Sequence, residues 1–499
     1  MERFLHSYSI KRNLKKLFET PTNCTSMFVT ILLFWNVLYK YFYLSNLFLP
    51  WDISEPLRSS VLINIFIRNS GDLAEDLLLF ILAYELYKRI IESDRFVIQV
   101  WVYRIFFTFA PIYFILIFFT TKVKVFSATF LSNLFFWNDY FPSDLQPISE
   151  GYLVAIAIKV SFILLMIYTL AQKYTKTKTG HLDLLMFCSS SCLIILYVVT
   201  IKTNIFPTLS PIRQEDAGIY KFKSKNEFFV EKYDEFNLVD IWLIRGMHTR
   251  IAHCILGAVF AQLSTIPKFV RYFRNRKYLT FILNILVTYM LSSVLLLRNF
   301  TWPGSLTKGS EIDGWVWWVG HLYCFHRFFI VACFGWFLFQ AWNQIGLVAF
   351  CLKWFYKWKI WNFFKELAYP MFLIHSTAIF MYLLVRGFEK NNIKLIISLS
   401  KYLENMFVCF IFILTSSFFL YMIIQRPMVN MLEESLSNLK TNLLKQKQRS
   451  DLKEEREKKA NKKKANSSNL NKIIKSKSKS KKGKSRTIKE RKNNSRKKK

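Results

Sequence analysis

A few ionisable side chains lie inside stretches that otherwise read as hydrocarbon, and their types fix what chemistry this chain can do. His375 sits near the middle of Lys365–Arg386, KELAYPMFLIHSTAIFMYLLVR, a run apolar and long enough to cross a bilayer. Asp72, Glu75 and Asp76 are spaced i, i+3, i+4 and so cluster at one helix entrance. Arg104 and Arg250 enter other apolar runs, His253 follows Arg250 by three residues, and His248 and the pair His326-Arg327 open further ones. Ionisable groups at such depth are costly to bury and are kept for function or as mutual partners. A neutral imidazole can take a proton, a carboxylate can orient it, and a guanidinium can hold developing negative charge. The alternative stays open: acids water-facing or paired, and outer-entry cations and histidines anchoring helices at the headgroups.

Other chemistries have little support in the residues. Eight cysteines are scattered, mostly in apolar runs, and Cys188 and Cys192 have no accompanying His or acid cluster. They read as buried thiols, with no metal site and no disulfide frame. There is no Gly-rich phosphate loop and no CxxC.

The elements that must position these groups are membrane helices. The chain is 53% hydrophobic, with 50 Phe, 24 Tyr and 14 Trp, yet carries 69 Lys+Arg and a net charge of +36. Both facts fit if the apolar residues face lipid and the charges occupy loops and a tail. Met27–Leu49 is long enough to remain as a signal anchor. Nine further spans are expected at 73–90, 96–119, 152–171, 182–201, 250–266, 279–297, 322–342, 366–386 and 403–424. With the N-terminus in the cytosol, the Lys/Arg-rich connections at 88–95, 172–181, 267–278 and 343–365 fall inside, and the acidic Asp139, Asp144, Glu311 and Asp313 fall outside. Lys122, Lys124, Arg58 and Arg68 depart from that bias. The fold class expected is therefore all-α: a polytopic transmembrane bundle of about ten spans, both termini cytosolic, in the endoplasmic reticulum or plasma membrane.

Three regions follow: a basic cytosolic segment 1–26, a membrane domain 27–430, and a low-complexity tail 431–499. From Asp451 to Lys499 there are 22 basic and 5 acidic residues, in KSKSKSKKGKS-like repeats from which no core can form. The expected partners are the bilayer and, for the tail, anionic lipid or an acidic protein; ten crossings exclude a soluble nucleic-acid binder. The outer stretch 300–321 holds four Trp, as an interfacial belt would.

Several segments together carry a family resemblance. Leu367-Ala-Tyr-Pro370 followed by Phe372-Leu-Ile-His375 resembles the "LSYPLYLIH" signature of the membrane acyltransferase 3 family, in its nose-resistant-to-fluoxetine-like branch. Asp76-Leu-Leu-Leu-Phe-Ile-Leu-Ala is similar to "DTFFFLSG", Tyr103-Arg104 through Tyr113 to "RYLRLTPLY", and Ser132–Asp139 to "TNLLFINNF". His248-Thr-Arg250 through Gly257 is similar to "YTRIPPYLIG", and Gln425-Arg-Pro427 stands where Glu-Arg-Pro often does. The resemblance spans roughly 25–430. It departs at the first helix, where the family's Arg/His pair is missing and Lys40 is the one basic group, and at 151–158, which lacks the acid and the glutamine of "WYLAxDMQF".

What the resemblance implies is a bundle that moves an acyl group, possibly acetyl, from acyl-coenzyme A to a hydroxyl or amine of a lipid or sugar. No cofactor is expected to be tightly held; acyl-coenzyme A is a co-substrate. Carried over, His375, Asp76, Arg104 and Arg250 are the catalytic candidates. The alternative is a catalytically degenerate relative that binds, carries or scaffolds a membrane lipid or small molecule. An enzyme predicts a polar cavity where His375 meets an acid and an arginine; a scaffold predicts a cavity packed shut by Phe and Leu.

Overall fold

The computed structural model describes residues 24–48, 71, 73–92, 109–118, 128–140, 151–175, 177–203, 246–300, 314–388 and 399–435, with isolated positions before 24 and at 438. All regular structure among them is helical, with no strand among the described residues. In chain order the helices are α1 Cys24–Phe48, α2 Leu73–Glu92, α3 Phe109–Phe118, α4 Ala128–Leu134, α5 Gly151–Tyr174, α6 Lys178–Thr203 and α7 Met247–Ser264. They continue as α8 Pro267–Asn275, α9 Lys277–Phe300, α10 Gly314–Asn343, α11 Gly346–Phe355, α12 Ile360–Phe388 and α13 Leu399–Leu420, which ends in a π-turn at Tyr421–Gln425.

Five of these, α5, α6, α9, α10 and α13, are long and apolar enough to cross a membrane; a sixth counts if α7 and α8, bent by 80°, form one span. This is the architecture of a helical membrane protein, at a lower count than the ten expected. The helices α1, α2 and α12 have the length, at 25, 20 and 29 residues. They are diluted by polar groups: Lys40 in α1, the acids and Lys88-Arg89 in α2, Lys365-Glu366 and His375 in α12. Of the expected span 96–119 only α3 is described. Most of the tail and the loop 204–245 lie outside the described residues, as do the side chains of Trp302, Trp315, Trp317 and Trp318.

Burial separates an inner set of helices from an outer one. In α5, 61% of the most apolar window is buried, against 6% in α9 and 17% in α6. The outer helices present Phe281, Ile282, Ile285 and Phe187 outward. Only hydrocarbon makes so much exposed aliphatic surface inexpensive, because the backbone polar groups are already satisfied within each helix.

Side-chain pairs fix the helix directions. Thr25 reaches Glu85 at 2.7 Å while Asn36 reaches Glu75, so α1 and α2 are antiparallel. Tyr152 meets Glu75 and Tyr168 meets Tyr87, so α5 runs with α2. Arg250 meets Asp76 and Ser264 meets Tyr84, so α7 does too, and Arg327 at Asp76 with Trp342 on Tyr84 add α10. These four helices begin at one end of the bundle and finish at the other. Lys88-Arg89, Lys173, Lys178, Lys268 and Lys353 gather near the finishing end, called here the basic end.

The helices α2 and α7 approach closely, and a glycine permits it. A Cβ on Gly257 would lie 2.4 Å from the Phe80 carbonyl oxygen and 3.2 Å from the Ala83 Cβ. With Ala83, Ala258 and Ala261 also buried there, the two backbones approach as small-residue membrane interfaces allow. That approach sets the separation of the charged groups two turns away, at Asp76 and Arg250.

Candidate functional site

The start of α2 carries two fully buried acids, Glu75 and Asp76, facing different neighbours. One Asp76 oxygen takes the Nη1 hydrogen bond of Arg250, and its other oxygen accepts from Arg327 Nε at 2.8 Å. Glu75 Oε2 accepts from the Tyr152 phenol at 2.5 Å and from Arg250 Nη2 at 3.3 Å. Its Oε1 faces Asn36 Nδ2 at 3.4 Å and Lys40 Nζ at 3.6 Å. Five helices thus close on two carboxylates, and three cations balance them with one positive charge to spare. A buried charge left without such partners would cost several kcal/mol, so the helices can associate here only as a set.

His253, one turn after Arg250 on α7, is buried beside this cluster. Neither ring nitrogen makes a well-formed hydrogen bond among the described residues. Its ring lies 6.2 Å from that of Phe328, the neighbour of Arg327 on α10.

A second feature adjoins Glu75. Between α1, α2, α3, α5 and α12 runs a groove of about 340 Å³, lined almost wholly by apolar side chains such as Leu33, Leu79, Leu82, Ala157, Ala368 and Phe372. Glu75 stands at one end. At the other, toward the basic end, stand Glu85 and Arg89, and Lys365 of α12 also lines the groove. From Glu75 to Arg89 is fourteen residues of helix, about 21 Å. Glu85 is partly spoken for, by Thr25 at 2.7 Å and by Arg89 one turn on at 3.8 Å.

The sequence-predicted residues divide. Asp76 and Arg250 are brought into direct contact. Arg104 lies outside the described residues. His375 is fully buried on α12, with Nδ1 2.8 Å from the Phe372 carbonyl oxygen of its own helix. It stands one turn beyond the groove-lining Phe372. A second imidazole, His253, lies beside the acid–arginine cluster, one turn after Arg250 on α7. The segment Ser132–Asp139 forms a separate knot: Tyr113 donates to Asn133 Oδ1 at 2.5 Å, Asn138 donates to Tyr113 at 2.7 Å, and Lys159 pairs with Asp139 at 2.5 Å. Burial pushes the Asp139 carboxyl above the usual carboxylate range, and Lys159 pulls it back.

The sequence alone did not single out Tyr152, Asn36 or Lys365. Tyr152 opens a span, where tyrosines ordinarily sit at the headgroups, and Lys365 reads as one more interfacial cation. Lys40 had a visible signal, as the sole cation of an apolar helix.

No cluster of His, Cys and acids fit for a metal ion occurs among the described residues. Comparison with known proteins adds nothing to this reading, since no family model, curated protein or solved structure matches the chain.

Proposed function

We propose that the protein is a multi-pass membrane protein that takes up the acyl chain of a lipid or of an activated acyl donor in the groove beside α2. The observation that carries this is the groove itself: apolar along its length, about 340 Å³, and bounded by cations at the basic end. That volume lies at the lower limit of ordinary ligand sites. Its lining offers few hydrogen bonds, so a polar substrate such as a free sugar would lose more than it gained there. An anionic head would rest against Arg89 and Lys365. The shared direction of α2, α5, α7 and α10, opposed by α1, is what a path of about ten crossings with both termini on the basic, cytosolic side would require.

A second reading, acyl transfer from acyl-coenzyme A to a hydroxyl or amine of a lipid or sugar, is favoured by one arrangement. The Glu75 end of the groove adjoins a tyrosine phenol and a guanidinium, donors of the kind that hold a developing oxyanion, with the His253 imidazole one turn away from Arg250. In this reading His253, not His375, is the better proton acceptor.

The two readings separate on purified full-length protein. A photoreactive fatty-acyl probe is expected to crosslink to α2, α5 or α12, and Ala368→Trp, which fills the groove, is expected to abolish it. Crosslinking unaffected by Ala368→Trp would remove the groove as the site. Labelled acyl-coenzyme A giving neither labelled lipid nor labelled protein, while the probe still binds, would leave binding and remove transfer.

A further inference from the structure

At the basic end lie two helices too short to cross a bilayer: α8, with an exposed cationic face, and α11, an apolar helix that exposes Leu347, Phe350 and Trp354 and carries Lys353 in its last turn. The nine-residue α8 leaves α7 at an 80° bend, so it lies across the end of the bundle and not along it. Val270 is buried, and with Phe269 and Phe273 it packs on Phe339, Ile345 and Trp336 of the α10–α11 elbow. Arg274 Nη2 pins the same elbow through the Asn343 carbonyl at 2.9 Å. The inward face of α8 is thus fixed to α10 and α11. Its other face exposes Lys268, Arg271 and Arg276.

The ten-residue α11 and the turn that follows continue this surface. Lys353, Lys357 and Lys359 are exposed, and so are Trp354 and Trp358, at 64% and 42% of their area. The Trp358 and Trp361 rings stack with their planes 3° apart, and the Arg276 guanidinium lies 4.5 Å over the half-exposed Tyr272 ring. No acidic residue occurs between Ile266 and Asn284 or between Gln344 and Lys365. Cations without acids would repel one another in water. Set on α8, which lies across the bundle end, and interleaved with exposed indoles on the adjoining α11 and its turn, they match a plane of anionic headgroups over acyl chains.

We propose that α8 and α11 form a docking surface for anionic phospholipid headgroups of the leaflet at the basic end. This surface is separate from the groove and from the low-complexity tail. The indoles of Trp354 and Trp358 enter the acyl boundary while Lys268, Arg271, Lys353 and Lys357 hold phosphates and carboxylates.

The test is quenching of tryptophan fluorescence in the full-length protein reconstituted with brominated phosphatidylserine or with brominated phosphatidylcholine. The double variant Trp354→Phe/Trp358→Phe defines the local signal. The expected result is an excess of quenching by the anionic lipid, reduced about tenfold in Lys268→Gln/Arg271→Gln/Lys353→Gln/Lys357→Gln. The excess should survive in the charge-preserving Lys268→Arg/Lys353→Arg/Lys357→Arg protein. It should also survive in a full-length variant with Lys475, Lys477, Lys479 and Lys481 changed to Gln. Equal quenching by the two lipids overturns the proposal, and so does an excess lost only when the tail lysines are changed. If the four-site variant does not fold, salt decides on the wild-type protein: the excess must fall as salt approaches about 1 M, where charges more than about 3 Å apart are screened. An excess indifferent to salt overturns the proposal as well.

Discussion

Asp76 and Arg327 stand 251 positions apart in the chain, yet the Arg327 Nε lies 2.8 Å from an Asp76 oxygen in a buried contact. The other oxygen of the same carboxylate takes Arg250, so one acid clasps α2 to both α7 and α10. Neither arginine has a closer described acid than the pair on α2. The clasp therefore acts less as a source of net stability than as a device specifying which helices meet, since buried ion pairs gain little over apolar packing but are costly to break.

Asp76→Asn should therefore destabilise the bundle severely, by about 3–5 kcal/mol, because two guanidinium groups lose their shared counter-charge. Thermal unfolding in detergent, followed by size-exclusion recovery, reads this. Combining it with Arg327→Met should cost less than the sum of the single changes, as a shared contact requires. Strict additivity would mean the two groups do not interact in solution.

Gly257→Ala is expected to cost about 1–3 kcal/mol although it adds one methyl, since that methyl meets the Phe80 backbone oxygen at 2.4 Å. The α2–α7 separation must grow, and with it the reach of Arg250 to Asp76 and Glu75. A stability unchanged by Gly257→Ala would contradict the close approach of these backbones. Gly257→Val should be worse than Gly257→Ala.

Removal of each imidazole distinguishes the two histidines. If the protein transfers acyl groups, His253→Ala should lower the rate by about 100-fold or more, the usual contribution of a positioned proton acceptor. His375→Ala should act through packing on α12, lowering thermal stability with a smaller change in rate. Loss of rate on His375→Ala alone, with stability intact, would restore the histidine that the sequence favours.

Lys365→Gln should weaken a fatty-acid ligand about fivefold relative to a neutral lipid of the same chain length, the effect of about 1 kcal/mol at a partly buried cation. Lys365→Arg should keep the preference. Equal loss for charged and neutral ligands would place the head elsewhere than at Lys365.

Much of this was open to reading from residues. The helical class followed from runs of apolar residues long enough for a bilayer. Asp76 and Arg250 stood out because charges are rare in such runs. His375 was expected to join them; the bond shown for its Nδ1 is to the Phe372 carbonyl of its own helix. A helix pattern gives the face on which an imidazole lies, but not which neighbour rotates to meet that face. His253 was visible at three residues from Arg250, yet nothing in the spacing ranks it above a histidine held in an apolar helix. Tyr152 and Lys365 were hidden because, on a sequence, a buried hydrogen-bonding phenol and an interfacial one look the same.

What the sequence determined alone is local: hydrocarbon-length helices, the concentration of Lys and Arg in certain connections, and the presence of isolated charges that must find partners. Each depends only on neighbouring residues and the solvent they face. The tertiary structure decided which partners those are, by bringing α2 against α7 across Gly257 and setting α10 and α5 around them. It also left an apolar groove between α1, α2, α5 and α12. A void is what side chains from separate helices fail to fill, so it belongs to their arrangement and to no single stretch of chain.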